Sequence, residues 1–202
     1  MVLLLFGALI LNFGISWFNA WSVGRAWVES KTVGGWLRFM VWCGAIMSAA
    51  GFTWCYTLIL AMIAGALGWL TEEYVEGLVY LGYLLVIFPV LGSGIAIWAD
   101  SVARAWRQRN ILNAGLAGWN TFAMIYNSYN AISAVPDAIA KLVEIFFKGR
   151  SSSKEIAMAF LVILLAIVAL GGGIITTTMI IRATARSQSE GMALRRERAR
   201  GR

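Results

Sequence analysis

The chain has 202 residues, 60% of them hydrophobic and 13% charged. Counting its 21 Gly takes the apolar share to about 70%, against roughly 45–50% in a soluble domain. That excess excludes an ordinary soluble globule, and the absence of His removes the commonest general base, metal ligand and pH switch, and with them most hydrolase and metalloenzyme mechanisms. The charges cluster between uncharged runs long enough to cross a bilayer. The sequence therefore describes an all-α integral membrane protein: a single polytopic helical domain over residues 1–181 and a basic tail over 182–202. No metal or other cofactor is expected, and the length leaves no room for a separate soluble catalytic domain.

The first apolar run, 2–21, lacks a basic leader region and a small-residue cleavage site, so it reads as a retained helix. The second, 36–70, has 35 residues with only Arg38 charged. An unbroken helix of that length measures about 52 Å, too short for two spans and a turn and suited to one tilted or kinked span. Its cysteines, Cys43 and Cys55, are about 18 Å apart on such a helix, too far for a disulfide, and read as buried small hydrophobes. Thr71, Glu72 and Glu73 form an N-cap and an acidic first turn for a third span over 74–98, which Pro89 should bend. A last run, 156–181, carries Gly171, Gly172 and Gly173 near its middle, followed by Thr176, Thr177 and Thr178.

The segment from Ile111 to Pro136 has no charge over 26 residues but contains four asparagines. If it does not cross, the 17 basic residues divide 10 to 7 between the two sides; if it crosses at 111–135, they divide 13 to 4. The second division satisfies the positive-inside bias, which also accounts for the net charge of +7. Five spans follow, with the N-terminus outside and the C-terminus cytoplasmic in the cell membrane; the count is four if 111–136 stays out of the bilayer. An internal echo supports two parallel copies of a span pair. Ser22-Val23-Gly24-Arg25-Ala26-Trp27 matches Ser101-Val102-Ala103-Arg104-Ala105-Trp106 at five of six positions, and Gly35-Trp36-x-x-Phe39 is followed by a second version at Gly118-Trp119-x-x-Phe122.

On a helical wheel, Asn113, Asn120, Thr121, Asn127 and Ser128 share one wedge, opposite Leu112, Leu116, Trp119, Phe122, Tyr126 and Tyr129. The first span repeats the pattern with Asn12, Ser16 and Asn19. A neutral polar stripe without Lys or Arg belongs inside the membrane, either bonding neighbouring helices or wetting a solute path. Gly44 with Ser48, Ala45 with Ala49, and Ala61 with Gly65 are small-residue pairs for close helix approach, within one chain or between copies. Residues 137–148 read as an amphipathic surface helix. The tail, with Arg195, Arg196, Arg198, Arg200 and Arg202 at its end, reads as a topology anchor touching anionic lipid; with no interleaved aromatics, nucleic acid is a poor fit.

No nucleotide-binding loop, nucleophile elbow or paired intramembrane carboxylate is present, and the acids map to helix ends. The expected protein is non-enzymatic, self-associating as a scaffold or simple pore through its small-residue and Asn-bearing faces, alone or with other membrane subunits. The alternative is a carrier or channel for a small solute along an Asn-lined route.

Overall fold

The computed structural model describes residues 2–147 and 152–200. These form five helices, α1 (Val2–Val33), α2 (Gly35–Ala66), α3 (Glu72–Gln108), α4 (Ile111–Phe147) and α5 (Ser153–Arg200). Helices α1, α2, α3 and α5 are long and apolar enough to cross a membrane. Helix α4 matches α3 in length at 37 residues, but it is not among these four.

The connections are short and chemically legible. Gly34 alone joins α1 to α2 at φ +106°, a conformation that only Gly enters without strain. Helix α2 stops at Ala66, where Gly68 turns at φ +68° and the Trp69 N–H reaches back to the Ala64 carbonyl at 2.9 Å. Thr71 then sits in extended geometry and its carbonyl accepts the Val75 N–H at 2.9 Å, starting α3 with Glu72 and Glu73 in the first turn. Arg109, left-handed at φ +41°, closes α3. The Asn110 side chain caps α4 by accepting the Asn113 N–H at 2.8 Å.

Successive helices run antiparallel, as α3 and α4 show. Ile145 lies against Gly77 near one end, Thr121 bonds Trp98 further along, and Asn113 bonds Gln108 at the other end. Helix α2 is central, packed on α1, α3 and α5, whereas α4 packs along α3 and makes no comparable contact elsewhere among the described residues. One apolar core joins Ala61, Tyr74, Leu78, Ile145 and Val162 from four helices. A second joins Ala20, Phe52 and Ile180. Ser16, Ser48, Thr53, Thr57 and Thr177 are buried while Phe6, Ile10, Trp42, Phe88, Ile125 and Phe160 face outward. Bulky apolar groups outside and small hydroxyls inside reverse the pattern of a soluble core and suit a lipid surround.

Several boundaries differ from the sequence reading, among them the third span, whose helix begins at Glu72 and runs past 98 to Gln108. The first span and the basic Trp-bearing segment after it are one helix to Val33. The second span ends at Ala66 rather than 70, because Gly68 and the Ala64 carbonyl cap it. Residues 137–147 are not a separate surface helix: α4 continues through Pro136 to Phe147, with Ala138 and Ile145 fully buried. An interior proline costs a helix about 3 kcal/mol, and the packing of the residues after it against α3 offsets that. The tail likewise continues α5 to Arg200 as a helix of 48 residues, about 72 Å long. Its Arg, Ala, Glu, Met and Leu content favours helix, so the expected boundary at 181 is not an element boundary.

The echo also falls differently. Ser22 lies twelve residues before the Gly34 turn, but Ser101 only eight before Arg109, so the two copies do not share a register. Their single mismatch has a cause in packing. A Cβ at Gly24 would stand 2.6 Å from Cβ of Thr184 on α5, whereas Ala103 on α3 is half-buried.

Candidate functional site

The first polar region is a buried junction of α1, α2 and α5. The Ser16 hydroxyl donates to the Asn12 carbonyl at 2.8 Å, as helical serines do four residues back. The Ser48 hydroxyl donates to the Ser16 carbonyl at 2.8 Å and lies 3.2 Å from the Thr177 hydroxyl. One turn away, the Tyr56 and Thr176 hydroxyls are 2.8 Å apart. Asn12 and Asn19 are half-buried on the same face of α1. The polar face of the first span, the Gly44/Ser48 pair and the threonine run of the last span therefore meet in one place.

Glycine makes that meeting possible. A Cβ at Gly173 would lie 2.7 Å from both the Ala49 carbonyl oxygen and the Thr53 nitrogen, and one at Gly172 would lie 3.1 Å from the Tyr56 ring. Gly44 faces Val23 and Gly65 faces Val75 at comparable range, and Ala61 is buried in the four-helix core. These small residues serve contacts within one chain. Gly171 has nothing within 4 Å of where its Cβ would be.

The second region is the α3–α4 seam. Asn113, Asn120, Thr121, Asn127 and Ser128 are half-buried along it, while Leu112, Leu116, Trp119, Phe122, Tyr126 and Tyr129 point outward. The asparagines do different work. Asn113 belongs to the helix turn, donating its amide to Gln108 at 2.7 Å. Thr121 accepts the Trp98 indole N–H at 3.0 Å and donates to the Ala117 carbonyl at 2.7 Å. Among the described residues, Asn120 and Asn127 have no side-chain hydrogen-bond partner.

One buried polar contact escapes sequence reasoning. Asp100 is 8% exposed and accepts the Trp36 indole N–H at 2.9 Å, while Arg104 one turn on pairs with its other oxygen. The i,i+4 spacing of Asp100 and Arg104 was a readable signal; the Trp36 contact, 64 positions away, was not.

At the same end of the bundle lie Arg25, Lys31, Arg38, Arg104, Arg107, Arg109, Arg182 and Arg186, with Trp21, Trp27, Trp36, Trp42, Trp98, Trp106 and Trp119. The opposite end carries Glu72, Glu73, Glu76, Lys141 and Lys154. Arg195 is exposed on the last turns of α5. The side chains of Arg196, Arg198 and Arg200, and all of Arg202, lie outside the described residues. Among the described residues no three of Cys, Asp or Glu converge as a ligand set. The polar groups brought together are mostly hydroxyls bonded to backbone carbonyls or to one another, an arrangement suited to holding helices. Comparison with known proteins finds no matching family model, no similar curated protein and no similar solved structure.

Proposed function

We propose that this chain is a non-enzymatic multi-pass protein of the cell membrane that crosses five times, N-terminus outside and C-terminus cytoplasmic, and acts as a self-associating scaffold. The observation that carries this is the pair Asn120 and Asn127, half-buried on a helix with one packing partner and without side-chain partners among the described residues. Inside hydrocarbon an unbonded amide costs several kcal/mol. A second copy seated at the margin of the α3–α4 seam, supplying donors and acceptors to these half-buried amides, removes that cost. The small-residue faces support the same division of labour, since they close the monomer and leave that margin for assembly.

Placing α4 across the membrane gathers the bases on one side, as the positive-inside bias requires. The same orientation brings the basic tail, Arg195 to Arg202, to the anionic cytoplasmic leaflet.

Mass measurement in nanodiscs tests the assembly. The native chain should exceed the mass of one copy, and Asn120→Leu/Asn127→Leu should return it to one. A single-chain mass for the native protein at every concentration would reject the scaffold. The same seam supports a second reading, a small-solute route past Asn113, Asn120 and Asn127, whereas Asn12 lies apart on α1, which has no comparable packing on α4 among the described residues. In that case Asn113→Leu/Asn120→Leu/Asn127→Leu abolishes flux into proteoliposomes while the oligomer persists.

A further inference from the structure

A cleft of about 780 Å³ opens between α1, α2 and α5 at the basic end of the bundle, apart from the α4 edge. Deeper in the bundle it is walled by Ile46 and Ala49 of α2 and Ile174 of α5; towards the basic end it is lined by Trp42 of α2, Lys31 of α1 and Arg182 and Arg186 of α5. Apolar wall and cationic mouth follow one another along the helix direction, because α5 runs outward from Ile174 to Arg186. All three cations are exposed. Among the described residues Glu190 is paired with them, 3.8 Å from Arg186, with both groups largely exposed so that solvent screens the contact. The mouth therefore keeps a strong positive field.

We propose that this cleft is a binding site for one anionic membrane lipid, its acyl chain against Trp42 and Ile46 and its phosphate held by Lys31, Arg182 and Arg186. Charge complementarity selects the occupant. A zwitterionic lipid brings a choline that three cations repel, and a soluble anion leaves the apolar wall unused. Basic pockets between membrane helices on the cytoplasmic side are suited to such headgroups. The inference rests on the chain being a membrane protein, but not on its oligomeric state or on the flux reading.

Native mass spectrometry of the purified full chain in neutral detergent tests it, with phosphatidylglycerol and phosphatidylcholine of identical acyl chains as probes. One phosphatidylglycerol should be retained per chain, roughly tenfold over phosphatidylcholine, and millimolar inorganic phosphate should not displace it. Lys31→Gln/Arg182→Gln/Arg186→Gln should abolish the preference. Ala45→Trp, which fills the cleft and leaves the cations in place, should lower retention of both lipids. Arg195→Gln/Arg196→Gln/Arg198→Gln should leave the bound lipid unchanged. Preference that survives the cleft triple variant, or that disappears with the tail variant, would overturn the site. Lipid bound per chain is read on monomer and oligomer peaks alike, so a failed scaffold does not obscure the result.

Discussion

The Trp36 indole donates to Asp100 at 2.9 Å, tying the first turn of α2 to a buried carboxylate on α3. A hydrogen bond to a charged acceptor contributes about 1.5–3 kcal/mol. Trp36→Phe and Asp100→Asn should each lower the thermal midpoint in detergent. Their double-mutant cycle should show a coupling of roughly 1 kcal/mol or more. Arg104→Gln should matter less, because its side chain is 57% exposed. Strictly additive effects of Trp36→Phe and Asp100→Asn would show that the contact stabilises nothing.

Gly173 and Gly171, two residues apart, should respond oppositely to alanine. At Gly173 the new methyl meets the Ala49 carbonyl and the Thr53 nitrogen, both backbone atoms of α2, so α5 must move away. Such overpacking costs about 1–3 kcal/mol. At Gly171 the methyl enters open space, and a helix-interior Gly→Ala gains about 0.5–1 kcal/mol. Paired melting curves decide it: equal responses would contradict the close α2–α5 approach.

Ile145 is fully buried against Gly77, beyond Pro136 in a stretch that reads from sequence as a surface helix. Ile145→Ala should cost about 2–5 kcal/mol and loosen the second half of α4. Phe147→Ala, at a site 81% exposed, should be near neutral. Hydrogen exchange over 137–147 is the readout. Unchanged protection in Ile145→Ala would return this stretch to the membrane surface.

The crossing of α4 is checked by single cysteines in a background where Cys43 and Cys55 are replaced by alanine. Impermeant reagent outside intact cells should label Glu72→Cys and Lys154→Cys and leave Glu190→Cys untouched until the cells are opened. Labelling of Glu72→Cys without Lys154→Cys would mean that α4 returns to the side it left.

Much of this fold was legible from composition because a long, uncharged apolar run satisfies its own backbone most readily as a helix. The N-cap position of Thr71, whose side chain makes no capping bond, the acidic start of α3 and the polar wedge of α4 were readable because helix starts and helical periodicity are local. Pro136 misled for the same reason. Its local cost is visible in sequence, whereas the compensating contact of Ile145 with Gly77 spans 68 positions. The tail boundary was misplaced because hydropathy falls at Arg182 while helix propensity does not.

By itself the sequence determined the apolar excess, the scarcity of charge and the segregation of bases, and hence an all-helical chain with its cationic groups drawn to one end. Only the tertiary structure decided which polar residues meet. It assigned Ser16, Ser48 and Thr177 to one buried junction, Asn113 to a turn, and Lys31, Arg182 and Arg186 to a common cleft. The physical reason is range. Burial in lipid acts on each segment separately, whereas hydrogen bonds and close glycine contacts depend on which helix faces come together.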